Sequence, residues 1–300
     1  MLQDSFFQAE TRCGYYVSAK MKKVWAVELD LLQKFVEVCE KHNFNYFMDG
    51  GTLLGAVRHQ GFIPWDDDAD IIMPRKDYNQ LWKVAAEEFT EPYFFQTTLS
   101  EDRFFRTHAQ LRNSLTTGFI EDDRKKDVNK GIFIDIFVLD NIPDNIYVRK
   151  LWKMRIGLEK KILAFQYDRD YRNLSYKGKI FYCLVHLFFR VVSFKNFYEK
   201  FNLSTLGKYM NVLTKTAGDV TLDWRTNVQW PTECFADYIY LPFENLMLRA
   251  PILYDTVLIR QYGDYMKFPE RISATDLRSH GRITFEPEVP YKEYFGQKSD

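Results

Sequence analysis

Four aspartates fall within five residues, Asp66, Asp67, Asp68 and Asp70, and the apolar run Ile71-Ile72-Met73 follows at once. Carboxylates crowded this closely repel one another and are tolerated together chiefly when a divalent cation neutralises them. Hard oxygen donors suit Mg2+ or Mn2+, ions that also bind substrate phosphates. A bare acidic run more often marks a solvated turn. Here the apolar continuation puts the acids at the mouth of a buried strand, which weakens that reading. On a strand, side chains alternate, so Asp66, Asp68 and Asp70 share one face and Asp67 is predicted to point away.

Two further features bear on the same chemistry. Gly50-Gly51-Thr52 sits where a short apolar strand ends and a helix opens. Glycines there let backbone N–H groups approach a phosphate, whose charge a helix N-terminus favours. Alone, this pattern is often just a tight turn. Asp135 stands by itself in the strongly β-prone run GIFIDIFVL, Gly131 to Leu139. A glycine turn, an Asp-x-Asp-x-Asp strand and a later lone carboxylate together point to metal-dependent phosphoryl transfer on a nucleotidyltransferase-type fold.

Elements must position these groups. Met21, Trp25, Leu29, Leu32, Val36 and Cys39 recur at spacings of three and four, predicting an amphipathic helix that ends near His42-Asn43. Strands are expected at 45–48 and 69–73, and helices at 52–58 and 76–89. Weaker strand candidates lie at 93–96, 107–111 and 116–120. This alternation predicts an α/β (α+β) mixed sheet over residues 1–143. Residues 144–220 read as a helical basic subdomain: Ile146 to Lys200 holds 13 Lys/Arg against four acids. Residues 221–300 are expected to complete the core, with a strand or hairpin at 238–248 and a helix with Pro251 in its first turn.

Lys+Arg and Asp+Glu both number 41, so the chain lacks the basic excess of a dedicated nucleic-acid binder. The four cysteines show no CxxC or zinc-finger spacing. The N-terminus does not read as a signal peptide, and no stretch reaches the roughly 20 apolar residues of a membrane span. A cytoplasmic location is the expectation, with peripheral contact at the inner face of the membrane. That contact would run through Phe181 to Phe194, an apolar, aromatic segment preceded by Lys177 and Lys179. A fully buried helix explains the same segment equally well.

The run DGGTLLGAVRHQGFIPWDDDADIIMPRKDY resembles the signature of the LicD family, and the likeness extends to GIFIDIFVLD and LPFENLMLRAPILYDTVLIRQYGDYMKFP. It covers most of the chain and is weakest over the basic helices. The resemblance implies transfer of a phospho-alcohol, phosphocholine foremost, from a CDP-alcohol donor such as CDP-choline to a hydroxyl of a cell-surface glycan, such as one assembled on a lipid carrier, with release of CMP. Asp68 and Asp70 would bind the catalytic Mg2+ or Mn2+, Asp66 would assist, and Asp135 would complete the set and serve as base. Gly50, Gly51 and Thr52 would hold the donor phosphates. The alternative enzyme is a nucleotidyltransferase that moves NMP to a sugar phosphate or another acceptor. The choice among choline, glycerol and ribitol stays open.

Other residues divide between function and scaffold. Arg58 suits phosphate through its fork of donors, and His280, flanked by Arg278 and Arg282, is a candidate donor or acceptor contact. His59 reads equally as a surface residue, and Asp49 most simply as a helix cap. Trp65 could stack on a base or sugar but is more commonly a core residue. Arg106, His108 and Arg112 fall on alternate positions and could bind a pyrophosphate, or simply lie on an exposed sheet face. Tyr262, Gly263 and Lys267 read as a helix end with its glycine stop.

Overall fold

The computed structural model describes residues 2–101, 105–167, 174–222, 228–268 and 283–296. A small hairpin, β1 (Glu10–Arg12) and β2 (Tyr15–Val17), precedes the long helix α1 (Ala19–His42). Ser18 caps α1 by accepting from the Met21 amide, and Asn43 closes it in the left-handed region at φ 55°. Of the predicted stripe Trp25, Leu29, Leu32 and Cys39 are buried, Met21 and Val36 pack half-buried against the same core, and Phe35 joins the buried face.

The elements that follow keep the predicted order, strands alternating with helices through α3 and four strands running in succession after it: β3 (Phe47–Met48), α2 (Gly50–His59), β4 (Asp70–Pro74), α3 (Arg75–Glu88), β5 (Tyr93–Gln96), β6 (Ala109–Asn113), β7 (Thr117–Ile120) and β8 (Ile132–Ile142). The 11-residue β8 is the spine of a seven-stranded mixed sheet. It pairs in parallel with β4, and antiparallel with β6 and with β9 (Thr216–Gly218). Outward from these lie β3, β5 and β10 (Trp230–Pro231). Residues of β8 are buried on both faces, which explains why the run is almost continuously apolar.

Three helices follow β8: α4 (Ile146–Tyr167), α5 (Tyr176–Val191) and α6 (Phe194–Lys200). They build a second core, in which Trp152, Ile156 and Leu163 of α4 meet Tyr198, Phe201 and Leu206. The segment 181–194 is therefore not one helix. Ser193 caps α6 through the Asn196 amide and breaks the run. Among the described residues no single helix is long and apolar enough to cross a membrane, although Tyr176–Val191 and Phe194–Tyr209 form a bent pair of sufficient combined length and apolarity, turned by 99°.

The C-terminal hairpin β11 (Tyr238–Phe243) and β12 (Leu246–Pro251) leads to α7 (Tyr254–Tyr262), which Gly263 stops at φ 69°. Pro251 was expected inside this helix. It instead ends β12 opposite Tyr238, a strand terminus where the missing N–H is tolerated. A last strand, β13 (Ile283–Glu286), pairs with β7.

Candidate active site

Parallel pairing of β4 with β8 sets Asp70 opposite Asp135. Residues in register on adjacent strands share a face, so the two carboxylates emerge side by side at one end of the sheet. The backbone there is fastened from three directions. Asp135 N–H donates to the Ala69 carbonyl at 3.0 Å, Asp49 N–H donates to the Asp70 carbonyl at 3.1 Å, and Asp70 N–H donates to the Thr52 hydroxyl at 2.7 Å.

Asp66, Asp67 and Asp68 precede the strand in a loop rather than continuing it, since β4 begins only at Asp70. Strand alternation therefore does not govern them, and the reason for setting Asp67 aside disappears. Carboxylate oxygens of Asp66, Asp67 and Asp68 all lie within 4.8 Å of one another. Asp66 and Asp67 are buried and Asp68 is half-buried. Trp25 of α1 holds the loop from beneath, its indole N–H donating to the Asp66 carbonyl at 3.2 Å. Asp70 and Asp135 stand outside this close trio but line the same cleft as Asp66 and Asp68. Three hard carboxylate donors at such spacing, with oxygen ligands only, fit a small divalent cation such as Mg2+ or Mn2+.

The glycine turn fits against this loop. Gly50 adopts φ 51°, a left-handed conformation that a side chain would strain, at the first turn of α2. A Cβ on Gly51 would collide with the Asp66 carboxylate, so the glycine makes room for an acid as well as exposing its backbone. Both glycines line the cleft. Thr52 is placed differently from expectation: it is buried, outside the cleft wall, where its hydroxyl anchors Asp70. Asp49 occupies the N-cap position yet makes no side-chain cap hydrogen bond, so simple capping does not account for it.

The cleft measures about 1010 Å3, ample for a nucleotide-sized ligand. Arg58, Arg106 and Lys267 bring positive charge to its wall, and Trp65, Phe137, Trp230, Tyr262 and Tyr265 bring rings. Arg58 is steadied by donating to His59 Nε2 at 2.9 Å and to the Tyr265 carbonyl at 3.1 Å. Burial, with Arg58 and Arg12 close by, pushes the His59 imidazole down to about 4, so it stays neutral at pH 7. Trp65 is a half-buried wall residue, neither loose nor core.

Arg106, His108 and Arg112 do not share an exposed strand face. The strand starts at Ala109, so Arg106 and His108 precede it and line the cleft. Arg112 is buried and donates to the carbonyls of Gly118 and Gly131 and to the side chains of Gln96 and Gln110. Gln110 in turn donates to Asp135 Oδ1 at 2.7 Å, and His108 Nε2 lies 3.2 Å from the same oxygen. Burial raises the Asp135 carboxyl, but His108, then Arg106 and Gln110, outweigh it and hold the group below the usual carboxylate range. His280, Arg278 and Arg282 lie outside the described residues.

One acid escaped the sequence reading. Glu28 is buried on α1 beneath the aspartate loop; burial, then Asp68, Asp67, Asp66 and Asp70, pushes its carboxyl well above the usual range. A signal existed: Glu28 sits on the apolar stripe between Trp25 and Leu32, where a lone acid calls for an explanation.

A carboxylate loop beside a glycine-opened helix, in a cleft edged with cations, defines a catalytic domain for transfer at phosphorus. Residues 43–155 match the family described as LicD/FKTN/FKRP, nucleotidyltransferase domain. Over 246 residues, 80% of this chain and 89% of the relative, the chain is 30% identical to the lipopolysaccharide cholinephosphotransferase LicD of Haemophilus influenzae. It is 33% identical over 84 residues to the ribitol 5-phosphate transferase FKRP of Homo sapiens, a match covering 27% of this chain and 17% of that protein. The chain belongs to the LicD family and carries its catalytic phosphotransferase domain.

Proposed function

We propose that this protein transfers a phospho-alcohol, phosphocholine first among the candidates, from a CDP-alcohol to a hydroxyl of a cell-surface glycan and releases CMP. The observation that carries the reading is the meeting of Asp66 and Asp68, with Asp67 close beside them, and the register-paired Asp70 and Asp135 at one cleft. Support for the substrate class comes from the Haemophilus influenzae relative, whose name specifies cholinephosphotransfer to lipopolysaccharide.

In this reading the fold is of the nucleotidyltransferase type, and Asp66, Asp68 and Asp70, joined by Asp67 and Asp135, hold Mg2+ or Mn2+. When bound, the ion would spread the negative charge that builds on the transferred phosphate. Gly50 and Gly51 present the opening amides of α2 to the donor phosphates, and Arg58 and Arg106 flank them. The acceptor hydroxyl passes its proton to Asp135 as its oxygen bonds to the phosphorus bearing the alcohol and the bond to CMP breaks; Gln110 at 2.7 Å and His108 at 3.2 Å hold Asp135 Oδ1 in place for this. Rings of Trp65, Trp230, Tyr262 and Tyr265 enclose the remaining donor; aromatic faces suit both cytosine stacking and a quaternary ammonium.

Incubation of the purified protein and Mn2+ with CDP-choline, CDP-glycerol and CDP-ribitol, with phosphoglycan acceptors, tests the proposal. CMP should form with one donor preferred. Pyrophosphate release from a nucleoside triphosphate, with no CMP from any of the three, would replace it with nucleotidyl transfer.

A further inference from the structure

Helices α4 and α5 turn apolar faces both inward and outward. On α4, Trp152, Ile156 and Leu163 enter the second core. On the opposite face Tyr147, Leu151, Met154 and Leu158 recur at four, three and four residues, each between 55% and 77% exposed. On α5 only Val185 is fully buried, while Tyr176, Ile180, Leu184, Leu187 and Val191 form a second helical stripe, 46% to 86% exposed. Apolar side chains lined up in exposed helical stripes, rather than scattered singly, mark an interaction site. The two helices meet where Phe165 packs edge-on against Phe181 at 5.0 Å.

Charge narrows the choice of partner. Together α4 and α5 carry nine Lys/Arg and a single acid, Glu159. On α5 the charges stand at the ends, Lys177 and Lys179 before the apolar stretch and Arg190 after it. A second copy of this chain would set one basic helix pair against another, which repulsion opposes. An anionic bilayer complements both features, offering an apolar interior beneath a negatively charged surface. At about 1.5 Å per residue the 16-residue α5 is some 24 Å long, too short to span and suited to lying flat.

We infer that the outward faces of α4 and α5 dock the protein on an anionic membrane surface, both helices lying in the headgroup region. The apolar stripes enter the lipid and the flanking Lys and Arg engage phosphates. This placement also positions the catalytic cleft. Lys160 of α4 donates to the Thr221 carbonyl at 2.7 Å, next to the cleft residue Leu222, and the Tyr198 hydroxyl donates to the Arg106 carbonyl at 3.5 Å. The inference stands on the surface of these helices and is independent of the donor and acceptor proposed above.

Flotation of the full chain with vesicles of phosphatidylcholine, with and without phosphatidylglycerol, tests it. The protein should float only with the anionic vesicles and be released by roughly 0.5 M salt, where the Debye length falls to about 4 Å. Leu184→Gln/Leu187→Gln and Leu151→Gln/Met154→Gln should each lower the bound fraction about tenfold. Melting temperature and the circular dichroism spectrum should not change. Wild-type protein that stays down with anionic vesicles overturns the inference, as does equal flotation of the double variants. Sedimentation showing a dimer that Leu184→Gln/Leu187→Gln dissolves would reassign the face to self-association.

Discussion

Strands β4 and β8 run in parallel from Asp70 opposite Asp135 to Pro74 opposite Leu139, and the two ends of this ladder treat buried charge in opposite ways. Just past its far end Arg75 grips Asp140 with two hydrogen bonds of 2.7 and 2.8 Å, both side chains almost fully buried. Asn202 accepts a further bond from Arg75 at 3.4 Å and ties the pair to the helical region. At the near end, carboxylates are set against carboxylates: three within 4.8 Å, two more along the cleft, and Glu28 beneath. A buried charge with its counter-charge built in serves the fold. Like charges gathered at a cleft work against the fold and suit a cationic ligand. The difference separates scaffold from site without reference to any relative.

Substitution should break the comparison in opposite directions. Asp68→Asn or Asp70→Asn is expected to cut CMP release by more than about a hundredfold, with an unchanged circular dichroism spectrum and no loss of melting temperature in metal-free protein. Near wild-type turnover of either variant would remove these residues from the site. Asp140→Asn, by contrast, strands Arg75 and should cost about 3–5 kcal/mol in urea unfolding, while the protein that remains folded keeps its kcat. A change in kcat without a change in stability would reverse the roles of the two ends.

Ligand linkage sharpens the contrast further. Mn2+ at 100 times its Kd should stabilise the wild type by about 2.7 kcal/mol, and should leave Asp68→Asn unmoved; calorimetry with and without the ion decides. Gly51→Ala drives a methyl group into Asp66. It should raise the Mn2+ midpoint for activity roughly tenfold, with rate restored at saturating metal. If the rate is not restored, Gly51 serves the phosphates alone.

The smallest effect concerns His59. Its folded pKa of about 4 lies below the ordinary value of 6.5, so the unfolded chain binds more protons in that interval. Its share of stability is present above pH 6.5 and is lost as pH falls towards 4. His59→Gln should flatten the dependence of melting temperature on pH across this window, and an unaltered slope would show that another group sets it.

Much of this was legible in the chain because it is local. The α1 periodicity, the β-prone run around Asp135, the glycine turn and the basic helices each depend on neighbours a few residues apart. Pro251 was misplaced because a proline marks the first turn of a helix and the end of an edge strand equally well. Arg112 could not be told from an exposed cation, since three of its four partners, Gln96, Gly118 and Gly131, come from separate segments.

The sequence by itself determined which residue types could bind a cation and phosphates, and singled out Asp66, Asp68, Asp70 and Asp135 as candidates for one site. Tertiary structure decided their arrangement. Parallel pairing brought Asp135 beside Asp70 across 65 residues of chain, the loop before β4 returned Asp67 to its neighbours, and α1 slid Glu28 beneath them. Spacing along a chain specifies faces only inside a regular element; where the element has not begun, only the packed backbone says which side chains meet.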